Sequence, residues 1–265
     1  MFTHRGPDRS LRKNAALAGY LAVVAGFVNS GGFVLLGTFT SHVTGNVGRL
    51  SVDLSTGGVG AALSALLLVA TFFGGAFCAS LIIEAEAATH RARGYGIALL
   101  VEGLLLGAFI SVAGLSRATH PRVLDAEAAI LCLAMGMQNS LVTQLSGAVI
   151  RTTHLTGIVT DLGIEAARWY RWHRRRIGRQ ATAGVERPSG TRSILLLVIV
   201  GSFIGGAVLG ALVTYRASRW SMVAPALAIV AASIYAMVTG ATETRPLRSA
   251  ATSSTTVASD LPGEG

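Results

Sequence analysis

The sequence predicts an all-α integral membrane protein with six transmembrane helices. They form a 3+3 inverted repeat whose first and fourth spans are interrupted. Three observations lead there. Apolar stretches of about 18 residues or more recur with few charges, the sign of membrane-spanning helices. A polar motif near the first span returns, in the same order, near the fourth. Each copy holds three spans, and an odd number forces the second copy to enter the membrane from the opposite side.

Composition sets the frame. Of 265 residues, 51% are hydrophobic and 13% charged, against about 25% charged in soluble domains; mean hydropathy is +0.57. A soluble enzyme and a secreted disulfide scaffold are excluded. Cys78 and Cys132 lie in apolar runs without metal-ligand spacing and read as small buried hydrophobes. The net charge of +9 resides beside spans, where basic residues set topology and meet anionic lipid; no nucleic-acid partner is expected.

Residues 1–14 form a basic cytoplasmic N-terminus with Arg5, Arg9, Arg12 and Lys13. This start imitates a secretory signal. No clear A-x-A cleavage site marks the stretch, however, and the internal copy of the first span cannot be a signal. The spans fall near Ala15–Gly37, Val59–Ile83, Tyr95–Leu115, Ala128–Ile150, Ser193–Tyr215 and Trp220–Thr239. In the first, Asn29, Ser30, Gly31 and Gly32 break the apolar run; in the fourth, Gln138, Asn139 and Ser140 do so. The third carries Glu102, a lone carboxyl inside a span and hence a candidate proton or cation site. Residues 15–115 and 116–240 make the two repeats, and 241–265 a disordered tail rich in Ser, Thr, Ala and Pro.

With both termini cytoplasmic, 17 of the 22 basic residues lie inside and five outside, in accord with the positive-inside rule. Nine of them fall in the cytoplasmic loop 151–192. There Trp169, Tyr170 and Trp172 alternate with arginines, a pattern suited to headgroup level and anionic lipid.

The repeated motif reads N-S…H-x-T-G-x-V-x-x-L. Asn29-Ser30 precedes His42-Val43-Thr44-Gly45, and Asn139-Ser140 precedes His154-Leu155-Thr156-Gly157. Gly74-Gly75-Ala76 likewise returns as Gly205-Gly206-Ala207. The H-x-T-G stretches are too polar to face lipid, so they are either re-entrant and buried in protein or ordinary turns outside the membrane. In the re-entrant reading Gly45 and Gly157 supply positive φ or close approach, and Thr44 and Thr156 cap short helices. Helix N-termini pointing inward then favour a polar or anionic ligand. The glycine pairs Gly201/Gly205 and Gly206/Gly210 allow close helix packing, within one chain or in a homo-oligomer.

The runs FTSHVTGNVGRL and GMQNSLVTQLSGAVIRTTHLTGIVTDLG resemble the two signatures of the YoaK family of bacterial inner-membrane proteins, from about Ala15 to Thr239. The resemblance implies a small multi-span protein of the cytoplasmic membrane and brings no substrate, cofactor or catalytic residue with it.

The functional expectation is a secondary transporter or channel-like permease for a small polar or anionic solute. His42, Thr44, Gly45 and Asn46 line one half of the site; His154, Thr156 and Gly157 line the other. Asn29 and Asn139 support the breaks, and Glu102 is the ion-coupling candidate. The alternative is a non-transporting scaffold or sensor whose buried polar motifs serve packing. No enzyme motif, metal site or cofactor is expected: HExxH, GxSxG and Walker patterns are absent.

Overall fold

The computed structural model describes residues 11–86, 91–115, 121–145, 155–177 and 190–243. Among them the chain is helical apart from short connections: α1 (Leu11–Leu36), α2 (Val43–Ser55), α3 (Val59–Ala85), α4 (Arg91–Leu115), α5 (Pro121–Leu145), α6 (Leu155–Ile177), α7 (Gly190–Ala217) and α8 (Val223–Glu243). A 3-10 turn, Ser218–Met222, separates α7 from α8. No strand occurs among the described residues. The basic residues before Leu11, His154 and the tail beyond Glu243 lie outside them.

Four stretches are long and apolar enough to cross a membrane: Ala16–Leu36, Val59–Ala85, Ala92–Val112 and Arg192–Thr239. The last, 48 residues long, comprises α7 and α8, and the chain reverses where Ser218 adopts φ 50°. The Thr214 hydroxyl donates to Ser221 Oγ across this corner at 2.8 Å. α5 is too polar to join the four; it carries Asp125, Glu127, Gln138, Asn139 and Gln144. Large apolar side chains stand exposed along α3 and α7, among them Phe73, Phe77, Leu81, Ile204, Val208 and Leu212. Polar groups, including Glu102 and Gln138, are buried inside. Apolar outside and selectively polar within, the helices are compatible with a membrane protein.

Two expectations are corrected. The first and fourth spans are not interrupted: α1 runs unbroken through Asn29–Gly32, and α5 through Gln138–Ser140. Tertiary packing overrides the weak local propensity. A methyl group on Gly31 would meet Thr214 Oγ1 at 2.8 Å, and one on Gly32 would meet Leu131 Cδ1 at 3.2 Å. These glycines therefore admit close neighbours and do not end the helix. Asn29, which would compete with the helix from its own turn, is engaged elsewhere through Ser41. Cys78, expected to be buried, is exposed on α3, whereas Cys132 is buried.

The helices associate chiefly as α1 on α7, α3 on α5 and α4 on α8. The first two crossings use the same chemistry. At α1/α7, a methyl on Gly26 would strike the Phe203 carbonyl and approach Ala207 N to 2.9 Å, while one on Gly206 would strike the Val23 carbonyl. At α3/α5, a methyl on Gly136 would strike the Phe72 carbonyl and approach Ala76 N to 3.1 Å, while one on Gly75 would strike the Leu133 carbonyl. Each crossing thus pairs a glycine of one helix with a Phe-x-Gly-Gly-Ala segment of the other, backbone on backbone. Gly210 extends the α1/α7 seam against Phe27. Gly201 and Gly205 have open space at their Cα atoms and take no part.

Candidate functional site

A cavity of about 460 Å³ opens where α1, α3, α5 and α7 surround the N-termini of α2 and α6. From the first half of the chain come Asn29, Ser41, His42, Val43 and Thr44, with Phe39 and Phe72. From the second come Asn139, Leu155, Thr156 and Phe203. Phe72 stands midway along α3 and Phe203 midway along α7, about 20 Å from either helix end at 1.5 Å per residue. The cavity therefore lies at mid-height of these two helices.

Of the residues expected in the site, the fold brings together Asn29, His42, Thr44, Asn139 and Thr156. Gly45, Asn46 and Gly157 are near in sequence but do not line the wall. Asn46 turns inward and is buried. Gly45 has a different duty from positive φ. It sits in the first turn of α2 beneath the His42 ring, and a methyl there would collide with Nδ1 and lie 2.8 Å from Cε1. His42 occupies the cap position of α2 and makes no side-chain capping bond. Thr44 and Thr156 are the second residues of α2 and α6 and so do not cap them. The helix that Thr156 opens is also long, running 23 residues to Ile177. His154 lies outside the described residues.

Asn29 is 8% exposed. Its Oδ1 accepts from the Ser41 backbone N–H at 3.1 Å and the Ser41 hydroxyl at 2.9 Å. Because the backbone N–H can only donate, the amide orientation is fixed with oxygen toward Ser41 and NH2 away from it. This double bond pattern ties α1 to the connection that enters α2. That connection begins with Gly37 at φ 70°, a left-handed conformation suited to glycine, and is held by Phe39 stacking on Phe33 at 4.3 Å. On the other half Ser140 contacts Ser80 Oγ at 2.9 Å, and Gln144 donates to both.

The first helical bond of α2 runs from Asn46 N–H to the His42 carbonyl at 3.1 Å. The amides of Val43, Thr44 and Gly45 precede it and have no helical acceptor. Among the described residues the wall carries no Asp, Glu, Lys or Arg. It offers amide, hydroxyl and imidazole groups against the rings of Phe39, Phe72 and Phe203.

Glu102 does not reach this wall. It stands near the middle of α4, 0% exposed, and among the described residues neither carboxyl oxygen has a hydrogen-bond partner. Along α4 it lies about 16 Å from the nearer helix end.

Sequence reasoning missed Ser41, Phe39, Val43, Leu155, Phe72 and Phe203. A signal for the last two was present: both precede the repeated Gly-Gly-Ala as Phe-x-Gly-Gly-Ala. Gly26 and Gly136 likewise each stand three residues before an Asn-Ser pair.

Compared with known families, residues 17–235 match the family described as protein of unknown function (DUF1275), consistent with the resemblance noted from the two signature runs. No curated protein and no solved structure matches the chain.

Proposed function

The chain belongs to the DUF1275 family, which brings no activity with it, and on that premise we propose a secondary transporter or channel-like permease for a small polar or anionic solute. One observation carries the reading. The cavity is lined by matched residues of the two halves: Asn29 with Asn139, Thr44 with Thr156, Val43 with Leu155, and Phe72 with Phe203. The two glycine crossings match in the same way, Gly26 on Phe203 answering Gly136 on Phe72.

These pairings support six spans in a 3+3 inverted repeat, with α1, α3 and α4 in one half and α5, α7 and α8 in the other. α2 and α6 are then re-entrant segments starting at mid-depth. A site between such repeats, built on helix N-termini, is a recurring transporter plan. Backbone without helical partners is tolerated at this depth because it lines a cavity.

The same geometry orients α6. Half of a 30 Å hydrocarbon core takes about ten residues, which brings Glu165, Arg168 and Trp169 to the boundary and Arg171–Arg176 among the headgroups. Glu165 pairs with Arg168 at 2.8 Å, and Arg176 stacks over Trp172 at 5.2 Å. Anionic lipid on the cytoplasmic face suits this end, with both termini on that side. Glu102 is the coupling candidate in this scheme: an uncompensated charge at this depth is expensive, so the side chain is suited to carrying a proton through a cycle of exposure and occlusion.

The test is sided labelling of Thr44→Cys and Thr156→Cys, each alone, with Cys78 and Cys132 replaced. Modification of each thiol by a membrane-impermeant reagent from either face, without leak of the vesicles, supports alternating access. Labelling of each from a single face, or from neither, overturns it in favour of the scaffold reading.

A further inference from the structure

The lining of the central cavity narrows the solute class. Asn29 is more than nine-tenths buried, and its oxygen is committed to Ser41. Its NH2 group has no protein acceptor among the described residues and is what Asn29 offers to the cavity it lines. Val43 and Thr44, the first residues of α2, line the same space, and His42 gives their amides no side-chain cap. The first described turn of α6 enters from the other half through Leu155 and Thr156. The α2 N-terminus carries partial positive charge, and among the described residues nothing on the wall is anionic.

Among the described residues the wall also holds no Lys or Arg as a full counterion. A polyanion such as phosphate would leave its charge poorly compensated, since partial charges and neutral donors balance roughly one unit. The other part of the wall is apolar, with Phe72 and Phe203 from opposite halves beside Val43 and Leu155. A strongly hydrated inorganic ion would waste that surface. We propose that the cavity binds a monocarboxylate, its carboxylate toward Asn29 and the α2 amides and its apolar group between the rings. This rests on the permease reading for its setting.

The experiment is calorimetric titration of the full-length protein in detergent with sodium benzoate, benzamide and sodium chloride. Benzoate is expected to bind at least tenfold more tightly than the isosteric neutral amide or chloride. Asn29→Asp keeps an oxygen for Ser41 while replacing the donor with a negative oxygen, and should weaken benzoate binding at least tenfold. Thr44→Asp is the second variant, at an exposed position in the first turn of α2. An acid there favours the helix while occupying the same positive end, so it should retain the fold and lose benzoate. Benzamide or chloride binding as tightly as benzoate overturns the proposal. So does undiminished benzoate binding in a folded Thr44→Asp or Asn29→Asp protein. Uptake into proteoliposomes separates the two readings. Benzoate that binds selectively but is never transported overturns the permease and leaves the anion site standing. Flux of benzamide equal to that of benzoate overturns the anion site and leaves the permease standing.

Discussion

Replacing Gly26 by alanine inserts one methyl group into the tightest part of the α1/α7 seam. Its Cβ would strike the Phe203 carbonyl, 2.9 Å from Ala207 N and 3.0 Å from Phe203 C. Ordinary contact begins near 3.4 Å, so the helices must part by roughly half an ångström or more. Nothing flexible can yield, because every atom met belongs to backbone. Overpacking of this kind costs about 1–3 kcal/mol, and a backbone obstacle belongs at the upper end. Alanine returns about 0.8–1.0 kcal/mol in helix propensity, leaving a net loss of roughly 2 kcal/mol. Gly205→Ala is the control, on the partner helix α7: its Cα faces open space, so only the propensity gain of about 1 kcal/mol remains. The two variants should therefore differ by roughly 3 kcal/mol. At about 2–4 °C per kcal/mol that is a gap of roughly 6–12 °C in melting temperature. Thermal unfolding in detergent, followed by loss of the monodisperse size-exclusion peak, measures it. Gly136→Ala, which meets Phe72 C at 2.9 Å and Ala76 N at 3.1 Å, should fall as far as Gly26→Ala. If Gly26→Ala melts with Gly205→Ala, the backbone-on-backbone seam is wrong. If Gly26→Ala falls and Gly136→Ala does not, the equivalence of the two crossings is wrong.

Four further outcomes are expected. Asn29→Ala removes both bonds to Ser41 and leaves its N–H unpaired, a loss of about 1–3 kcal/mol; a melting point unchanged from the parent refutes the tether. Gly45→Ala crowds the His42 ring, whose far end can swing aside, so solute binding should drop severalfold while stability shifts by less than about 0.5 kcal/mol; Gly48→Ala, with open space around it, should leave binding unchanged. Gly37→Ala meets no atom but forces a side chain to φ 70°, at about 1–2 kcal/mol, readable as a lower melting temperature. Glu102→Gln, which mimics the proton-loaded side chain, should fold normally and transport without dependence on pH; a wild-type pH profile in this variant removes Glu102 from coupling.

Much of the fold was legible along the chain, because lipid imposes one rule on every spanning helix. Long apolar runs mark α1, α3, α4, α7 and α8 directly, and the break between α7 and α8 falls in the expected place near Tyr215–Trp220. The repeated Asn-Ser and H-x-T-G motifs pointed to five of the residues that share the cavity wall, since residues too polar for lipid must be gathered elsewhere. Helix continuity was not legible. Asn29, Gly31 and Gly32 look like breakers in one dimension, and they are helical only because Ser41, Thr214 and Leu131 come from distant parts of the chain to meet them. Tertiary structure also decided which small residues matter: Gly206 and Gly210 press on α1, whereas Gly201 and Gly205, with the same spacing, face outward. A few tens of degrees around a helix separate these fates, and only the partner helix defines that angle. Phe72 and Phe203 belong to the same class. Aromatic residues in apolar runs carry no mark of their neighbours until two crossings, each closed by a glycine, bring them to the same space.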